Sequence, residues 1–594
     1  MTTRIEDYAI IGDTETVALV GNDGSIDWLC LPRFDSAACF AALLGDEKNG
    51  RWRIAPSADA MHVERRYRSG TLILETEFDT AEGAVRVVDL MPPREGSPDV
   101  VRIVEGLRGR VKMRMELIPR FDYGRLIPLV SRASGAVVAL AGPEALSLRA
   151  SVDLDISDAT ISAEFTIAEG EQAWFRMVSF PSHEAVPDQA DVNVAVSRTE
   201  SWWRDWSGRC TYQGLHREAV LRSLITLKAL TYAPTGGIVA AATTSLPEAI
   251  GGVRNWDYRF CWLRDGAFTV ATLARTGYTD EAVAWGAWLQ RAVAGDPAQM
   301  QIMYGIAGEH RLTEFELPWL SGYEGSRPVR VGNAASDQFQ LDIYGEVVAA
   351  LYRAVEAGIT PRLDATRSPA VNLEAMIDAV EQRWREPDEG IWEVRGERQH
   401  FTYSKFAAWY AVDRAIRLAR ESELKAPIVR WEALREAIHS DICENGYDAD
   451  RNTFTQYYGA RALDASLLLI PGSGFLPDDD PRVRGTVEAI QRELSSGPFV
   501  SRYSTDEDVD GLPGSEGAFL ICSFWLVTAL ASLGREEEAR RNLDELLALQ
   551  NDVGLLSEEY DPIEKRMLGN FPQAFSHIGL VSSILALYGG FNGR

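Results

Sequence analysis

The sequence predicts a chain in two parts, an N-terminal antiparallel β-sandwich followed by an (α/α)6 barrel. Three observations carry that expectation. The 594 residues exceed what one hydrophobic core organises, so at least two domains are expected. Up to about residue 180, apolar and polar side chains alternate with a period of two. From about residue 215 onward the period is helical, and the helices are of two alternating kinds. The expected division is 1–190 for the sandwich, 191–214 for a helical linker and 215–594 for the barrel.

In the first part, Val111, Met113, Met115 and Leu117 alternate with Lys112, Arg114 and Glu116, and Ile161, Ala163, Phe165 and Ile167 repeat the rhythm. Such alternation marks strands with one buried face, and Gly, Pro and Asp clusters between them mark turns. The linker carries Trp202, Trp203 and Trp206, bulky rings that suit packing between domains better than ligand contact. Twelve helical segments follow, beginning near His216, Asp265, Asp280, Gln338, Val371, Tyr403, Ile428, Leu463, Arg482, Glu516, Glu536 and Gln573. Phe519 to Leu530 and Phe406 to Val412 are apolar on nearly all sides, as interior helices are. Trp431, Leu434, Ile438 and Ile442 form a stripe, as do Ala539, Leu543, Leu546 and Leu547, which marks exterior helices. Six of each kind in alternation suit a closed toroid of helical hairpins. No short period repeats along the chain, which argues against a solenoid.

Composition narrows the function. Charged residues are 25% and apolar residues 46%, a globular balance, and the net charge of −27 opposes a nucleic-acid surface. No segment has the apolar length of a membrane span, and the N-terminus MTTRIEDYAIIGD is acidic, unlike an export signal. The six cysteines (Cys30, Cys39, Cys210, Cys261, Cys443, Cys522) form no CxxC, and the seven histidines have no metal-ligand spacing. A cytoplasmic protein with no metal is expected. Neither a phosphate loop nor a dinucleotide fingerprint occurs, so no nucleotide cofactor is expected either.

Long connections rich in Trp, Tyr, Gly, Arg and carboxylates precede the inner helices, and in a toroid these connections open on one rim. Before the second helix, NWDYRFCWLRD crowds together Trp256, Asp257, Tyr258, Trp262, Arg264 and Asp265. Flat rings stack on sugar faces while Arg and Asp fork hydrogen bonds to vicinal hydroxyls, a mixture suited to a polyol. An Arg-Asp pair alone is more often a helix-capping ion pair. Before the fourth helix come Trp319, Tyr323, Arg330, Gln338 and Asp342, and before the tenth come Arg502, Tyr503 and Glu516. Before the sixth stands IWEVRG with Trp392 and Glu393, and before the twelfth SEEYD with Glu558, Glu559, Tyr560 and Asp561. Two carboxylates on facing loops over one pocket are the minimum apparatus for cleaving a glycosidic bond. Any single Glu among 87 acidic residues is more often a solvated surface group.

Together, NWDYRFCWLRD, IWEVRG, SRY and SEEYD resemble glycoside hydrolase family 15, the glucoamylase and bacterial trehalase family. The opening IGDTETVALVGNDGSIDWLCLPRFDS resembles the N-terminal sandwich of its prokaryotic members, so the resemblance runs over nearly the whole chain. It implies an inverting exo-acting α-glucosidase. In that resemblance Glu393 matches the general acid, Glu558 the general base, Arg264 and Asp265 the pair gripping the non-reducing glucose, and Arg502 the arginine before the tenth helix. Tyr323 falls where glucoamylases carry a tryptophan, and Glu559 where they carry Gln.

The acid must be held protonated by burial or a neighbouring negative charge, and the base must be ionised to take a proton from water on the opposite face. Single-step inversion calls for carboxyls roughly 6.5–9.5 Å apart. Tyr560 suits orienting that water or packing, and Glu559 is the rival base. The resemblance implies a small α-glucoside as the partner, α,α-trehalose first, with maltose, isomaltose or short α-glucans as the alternative. A glycoside phosphorylase lacks the base carboxylate, and a non-catalytic sugar-binding protein has no need of either acid. Trp28, Arg33, Phe34 and Asp35 are expected in the sandwich core or interface ahead of the pocket.

Overall fold

The computed structural model describes residues 3–188, 191–356, 373–505 and 510–589. Its N-terminal part is built from antiparallel strands in two layers that share one long strand, Asp99–Ile118. The first half of that strand pairs with Gly83–Leu90 and Gln172–Pro181, the second half with Arg51–Pro56 and Thr160–Ala168. Two glycines stand at the change of layer: a Cβ on Gly106 would lie 2.0 Å from the Ala168 carbonyl oxygen, and one on Gly109 2.3 Å from that of Glu82. Past this point Val111, Met113, Met115 and Leu117 are buried, and opposite them in register lie Ile167, Phe165, Ala163 and Ile161. The expected alternation is the inner face of the sandwich.

Helix α1 (Val192–Ser207) leads into the helical part, which contains α2 (Arg217–Ala229), α3 (Leu263–Arg275), α4 (Thr279–Ala292), α5 (Asp342–Glu356), α6 (Leu373–Arg383), α7 (Thr402–Glu421), α8 (Ile428–Asn445), α9 (Pro481–Glu493), α10 (Leu520–Ser532), α11 (Glu536–Leu547) and α12 (Ala574–Tyr588). A 3-10 turn, Ala465–Leu469, lies between α8 and α9. Packing neighbours run α3, α5, α7, the 3-10 turn, α10, α12 and back to α3, so the inner ring closes on itself. The remaining helices from α2 onward form the outer layer. α7 and α10 are buried on nearly all sides, whereas α8 buries only Trp431, Leu434, Ile438 and Ile442.

The twelve helical positions expected from the sequence correspond, among the described residues, to the eleven helices α2 to α12 and the 3-10 turn. The position expected near Leu463 is a single 3-10 turn, capped by Asp464 and ended by Pro471 and Gly472, which cannot continue a helix. The start expected near Val371 falls outside the described residues; the described part of that helix begins at Leu373.

One hydrophobic core runs through both parts. Trp28 is fully buried, its indole N–H donating to the Ala242 carbonyl at 3.0 Å. Phe34 is buried, and Arg33 bridges Asp35 and Glu309, so this stretch belongs to the interface as expected. Trp206 stacks on Tyr278 with centroids 4.1 Å apart and donates to Glu281. At the centre of the contact, Arg259 forms a fork with Asp257 at 2.8 and 2.7 Å, both side chains inaccessible to solvent. The same guanidinium donates to the Ser36 carbonyl and the Tyr123 hydroxyl of the sandwich.

Removing the cation from such a pair strands a buried carboxylate. Arg259→Ala is expected to cost about 3–5 kcal/mol, whereas Arg108→Ala, at the exposed Arg108–Asp79 pair, stays within about 0.5 kcal/mol. Parallel denaturant unfolding of the two variants checks the contrast.

Candidate active site

The connections entering the inner helices are the long ones, and several fold into short hairpins. Thr244–Pro247 pairs with Asn255–Asp257, and Ala518–Phe519, Glu559–Asp561 and Arg566–Leu568 form a three-stranded patch. Among them lies a hollow whose lining includes Glu248, Trp256, Tyr258, Arg264, Trp392, Glu393 and Arg502.

Glu393 sits in a left-handed backbone conformation, φ 59°, at the end of a turn. The turn is held by Gln338, whose amide donates to the carbonyls of both Glu393 and Val394 at 3.1 Å. The Trp262 indole N–H donates to Glu393 Oε1 at 2.6 Å. Burial pushes this carboxyl upward, against the pull of Arg264 and of the Trp262 hydrogen bond. Arg264 opens α3 beside Asp265, at 3.2 Å, and donates to the Ile391 carbonyl at 2.7 Å. Trp392 donates to Asp464 at 2.9 Å and meets the ring of Phe519 edge-on.

Glu558 is buried. Its Oε2 accepts from the Asn570 backbone N–H at 3.1 Å, while Oε1 has no hydrogen-bond partner among the described residues. Gly569 next to it is obligatory, since it has φ 71° and a Cβ there would lie 2.4 Å from Glu558 Oε2. Burial first, then the charge of Glu248, pushes Glu558 up to about 8, while the nearby Tyr258 hydroxyl and the charge of Arg502 oppose the rise. The Tyr258 hydroxyl is itself raised by burial and by the charges of Glu558, Glu248 and Glu393, so this one ring feels both candidate acids.

Glu559 turns the other way, as consecutive residues of an extended chain do. Its Oε2 accepts from the Gly517 N–H at 2.8 Å, and Oε1 lies 3.6 Å from Arg502. With Glu248 and Glu516 it forms a trio whose oxygens lie within 4.8 Å of one another, close enough to converge on a cation. Two guanidiniums meet that charge. Arg502 donates to Glu516 Oε1 and to Glu248 Oε2, each at 2.9 Å, and Arg254 lies 3.4 Å from Glu516.

Of the expected site residues, Trp256, Tyr258, Arg264, Trp392, Glu393 and Arg502 line the hollow. Trp262, Asp265 and Glu558 adjoin it through the contacts just described. Four others lie elsewhere. Asp257 faces the sandwich in its pair with Arg259. Trp319, 38% exposed, donates to the Tyr123 carbonyl under the guanidinium of Arg125. Tyr323 is fully buried, its hydroxyl donating to the Thr3 carbonyl, and Tyr560 stacks on Phe499 with centroids 5.3 Å apart. Conversely, Glu248 was not singled out by sequence, although it lies in the connection that carries Trp256; a lone Glu in an apolar stretch, SLPEAI, was the available signal.

Residues 214–585 match the family described as Glycosyl hydrolases family 15, and residues 1–173 match the one described as Trehalase-like, N-terminal. The chain is 39% identical to a trehalase of Mycobacterium tuberculosis over 98% of its own length and 89% of that protein's. It is 37% identical to a trehalase of Thermoplasma acidophilum, over 95% and 97% of the two chains. An isomaltose glucohydrolase of Kribbella flavida is 24% identical over 48% of this chain and 70% of that protein. A bacterial glucoamylase solved in complex with acarbose shares the fold, with a TM-score of 0.74 at 12% identity, covering 99% of this chain and 94% of that one. With the family matched across the whole helical part and relatives aligned over nearly the full length, the chain belongs to glycoside hydrolase family 15.

Proposed function

We propose that this glycoside hydrolase cleaves α,α-trehalose with inversion, Glu393 acting as general acid and Glu558 as general base. The observation that carries the reading is that two buried acids from different connections, each with one oxygen held by an N–H donor, stand by one hollow: Glu393 lines it, and the Asn570 that holds Glu558 also donates to the carbonyl of Trp256, which lines it too. The substrate follows the relatives described as trehalases. Arg264, Asp265, Trp392 and Arg502 complete the proposed binding residues. Cytoplasmic residence accords with cysteines that are all free and, among the described residues, with no helix long and apolar enough to cross a membrane. The division at residues 190 and 214 accords with α1 standing between the last sandwich strand and α2.

In this mechanism the Trp262 N–H occupies Glu393 Oε1, so the acidic proton resides on Oε2 and passes to the glycosidic oxygen as the C1–O bond breaks. Asn570 occupies Glu558 Oε2, and Oε1 accepts a proton from the water that attacks C1 from the opposite face. The products are one glucose freed as the β-anomer and one released as leaving group. Inversion requires Glu393 protonated and Glu558 ionised: burial keeps the proton on Glu393, and at Glu558, where burial also opposes ionisation, Arg502 and the Asn570 N–H pull toward the ionised base.

Glu393→Gln and Glu558→Gln are each expected to lower turnover about 10²–10⁴-fold while leaving the thermal unfolding transition in place. Anomer-resolved NMR with trehalose, maltose, isomaltose and maltotriose tests both substrate and stereochemistry. Preference for any sugar but trehalose, or release from trehalose of α-glucose alone in place of equal amounts of the α- and β-anomers, overturns the reading.

Stability should also report the raised acids. Glu558, pushed up to about 8, and Glu346, pushed up by burial to about 7, keep protons that the unfolded chain has released. Unfolded Glu titrates near about 4.3, so this contribution is complete below that pH and is lost as pH rises through the folded values. The melting temperature is expected to fall as pH rises from about 4.5 to 8, and Glu558→Gln to flatten that fall.

A further inference from the structure

Beside the catalytic pair, the hollow carries an arginine, that of IWEVRG, to which neither the family resemblance nor the proposed mechanism gives a role. Arg395 lies two residues beyond Glu393 and lines the same hollow. Its guanidinium is fixed on two sides. Glu314 accepts from both terminal nitrogens, at 3.3 and 2.8 Å, and the ring of Trp256 lies 4.2 Å from the guanidinium carbon. Arg330 reinforces the arrangement, 3.6 Å from the same carboxylate and 4.4 Å from the same ring. The backbone is tethered as well, Arg395 N–H donating to the Asp510 carbonyl at 2.9 Å.

Exposure orders the charged residues from floor to mouth. The Asp265 side chain is 2% exposed and Arg264 13%, whereas Arg395 is 31% exposed. In the proposed mechanism a glucose held by Arg264 and Asp265 has its C1 at Glu393, so the sugar beyond the scissile bond lies toward the mouth, where Arg395 stands. A guanidinium has five N–H donors. Glu314 takes two of Arg395's, and the others have no partner among the described residues. A planar fork immobilised before substrate arrives loses little side-chain entropy in bonding vicinal hydroxyls, which is what recognition of a second pyranose requires.

We propose that Arg395, stacked on Trp256 and clamped by Glu314, determines specificity for the leaving-group glucose by donating to its hydroxyls. This rests on reading the site as a trehalose-cleaving one, and the test separates the two. Full-length wild type, Arg395→Ala and Arg395→Lys are assayed with α,α-trehalose and with α-D-glucosyl fluoride. In the fluoride, water attacks C1, the C–F bond breaks with its electrons leaving on fluoride, and Glu558 takes the water proton. No second sugar is held and no proton is given to the leaving group.

Arg395→Ala is expected to lower kcat/KM on trehalose about 10- to 100-fold, chiefly through KM. Activity on the fluoride is expected to stay within about threefold of wild type and the pH profile to keep its shape, with Arg395→Lys intermediate. Glu314→Gln, which keeps Arg395 but loosens it, gives a second readout: a loss of about 3- to 10-fold on trehalose and none on the fluoride. Equal losses on both substrates, a displaced pH profile, or no loss on trehalose in these variants each overturn the proposal. If wild type cleaves maltose or isomaltose and not trehalose, the trehalose reading falls and that disaccharide replaces it in the same comparison; if it cleaves the fluoride alone, both fall.

Discussion

The guanidinium of Arg502 sits among three buried carboxylates, Glu248, Glu516 and Glu559, brought together by three separate connections. Without a cation at that point the trio would repel, and a buried unpaired carboxylate costs several kcal/mol. Arg254, paired with Asp510 at 2.7 Å, supplies a second positive charge at the edge of the cluster. The consequences reach the chemistry. Glu248 raises Glu558, Arg502 opposes that rise, and Trp256 is fastened to Glu248 by its indole N–H at 3.1 Å. One ion cluster therefore shapes the floor of the hollow and sets the field in which Glu558 titrates.

Ring closure brings those connections together. The turns from an inner to an outer helix are brief at 276–278 and 533–535, so the chain places its length on the opposite rim, in 230–262, 494–519 and 548–573. The sandwich braces this rim from outside. In the extended run Asn255–Asp257 and the residue after it, alternation sends Trp256 and Tyr258 toward the hollow and Asp257 toward the sandwich, where Arg259 meets it. The same two-residue period thus explains why the middle residue of WDY is structural while its neighbours line the site.

How far the site could be read from sequence depended on where each residue's partner lies. NWDYRFCWLRD, IWEVRG and SEEYD are local strings, and the residues in them that adjoin the hollow were legible. Trp319, Tyr323 and Tyr560 were drawn toward the site by their company in aromatic connections, but their partners, Tyr123, Thr3 and Phe499, are far away in the chain or unmarked by any motif. Trp262 was read as a ring for stacking on sugar, whereas its N–H is committed to Glu393. Glu248 escaped notice because a carboxylate becomes functional only when other charges surround it, and Glu516, Glu559 and Arg502 arrive from more than 250 residues downstream.

By itself, the sequence determined the two architectures and their order, because periods of two and of 3.6 residues are properties of neighbouring side chains. It also determined the identity of the family motifs. Tertiary structure alone decided which of two adjacent acids, Glu558 or Glu559, adjoins Tyr258 and which joins the ion cluster, and how far burial displaces their protons. Burial and electrostatic fields are sums over everything packed around a group, and most of what surrounds these two acids is distant in sequence.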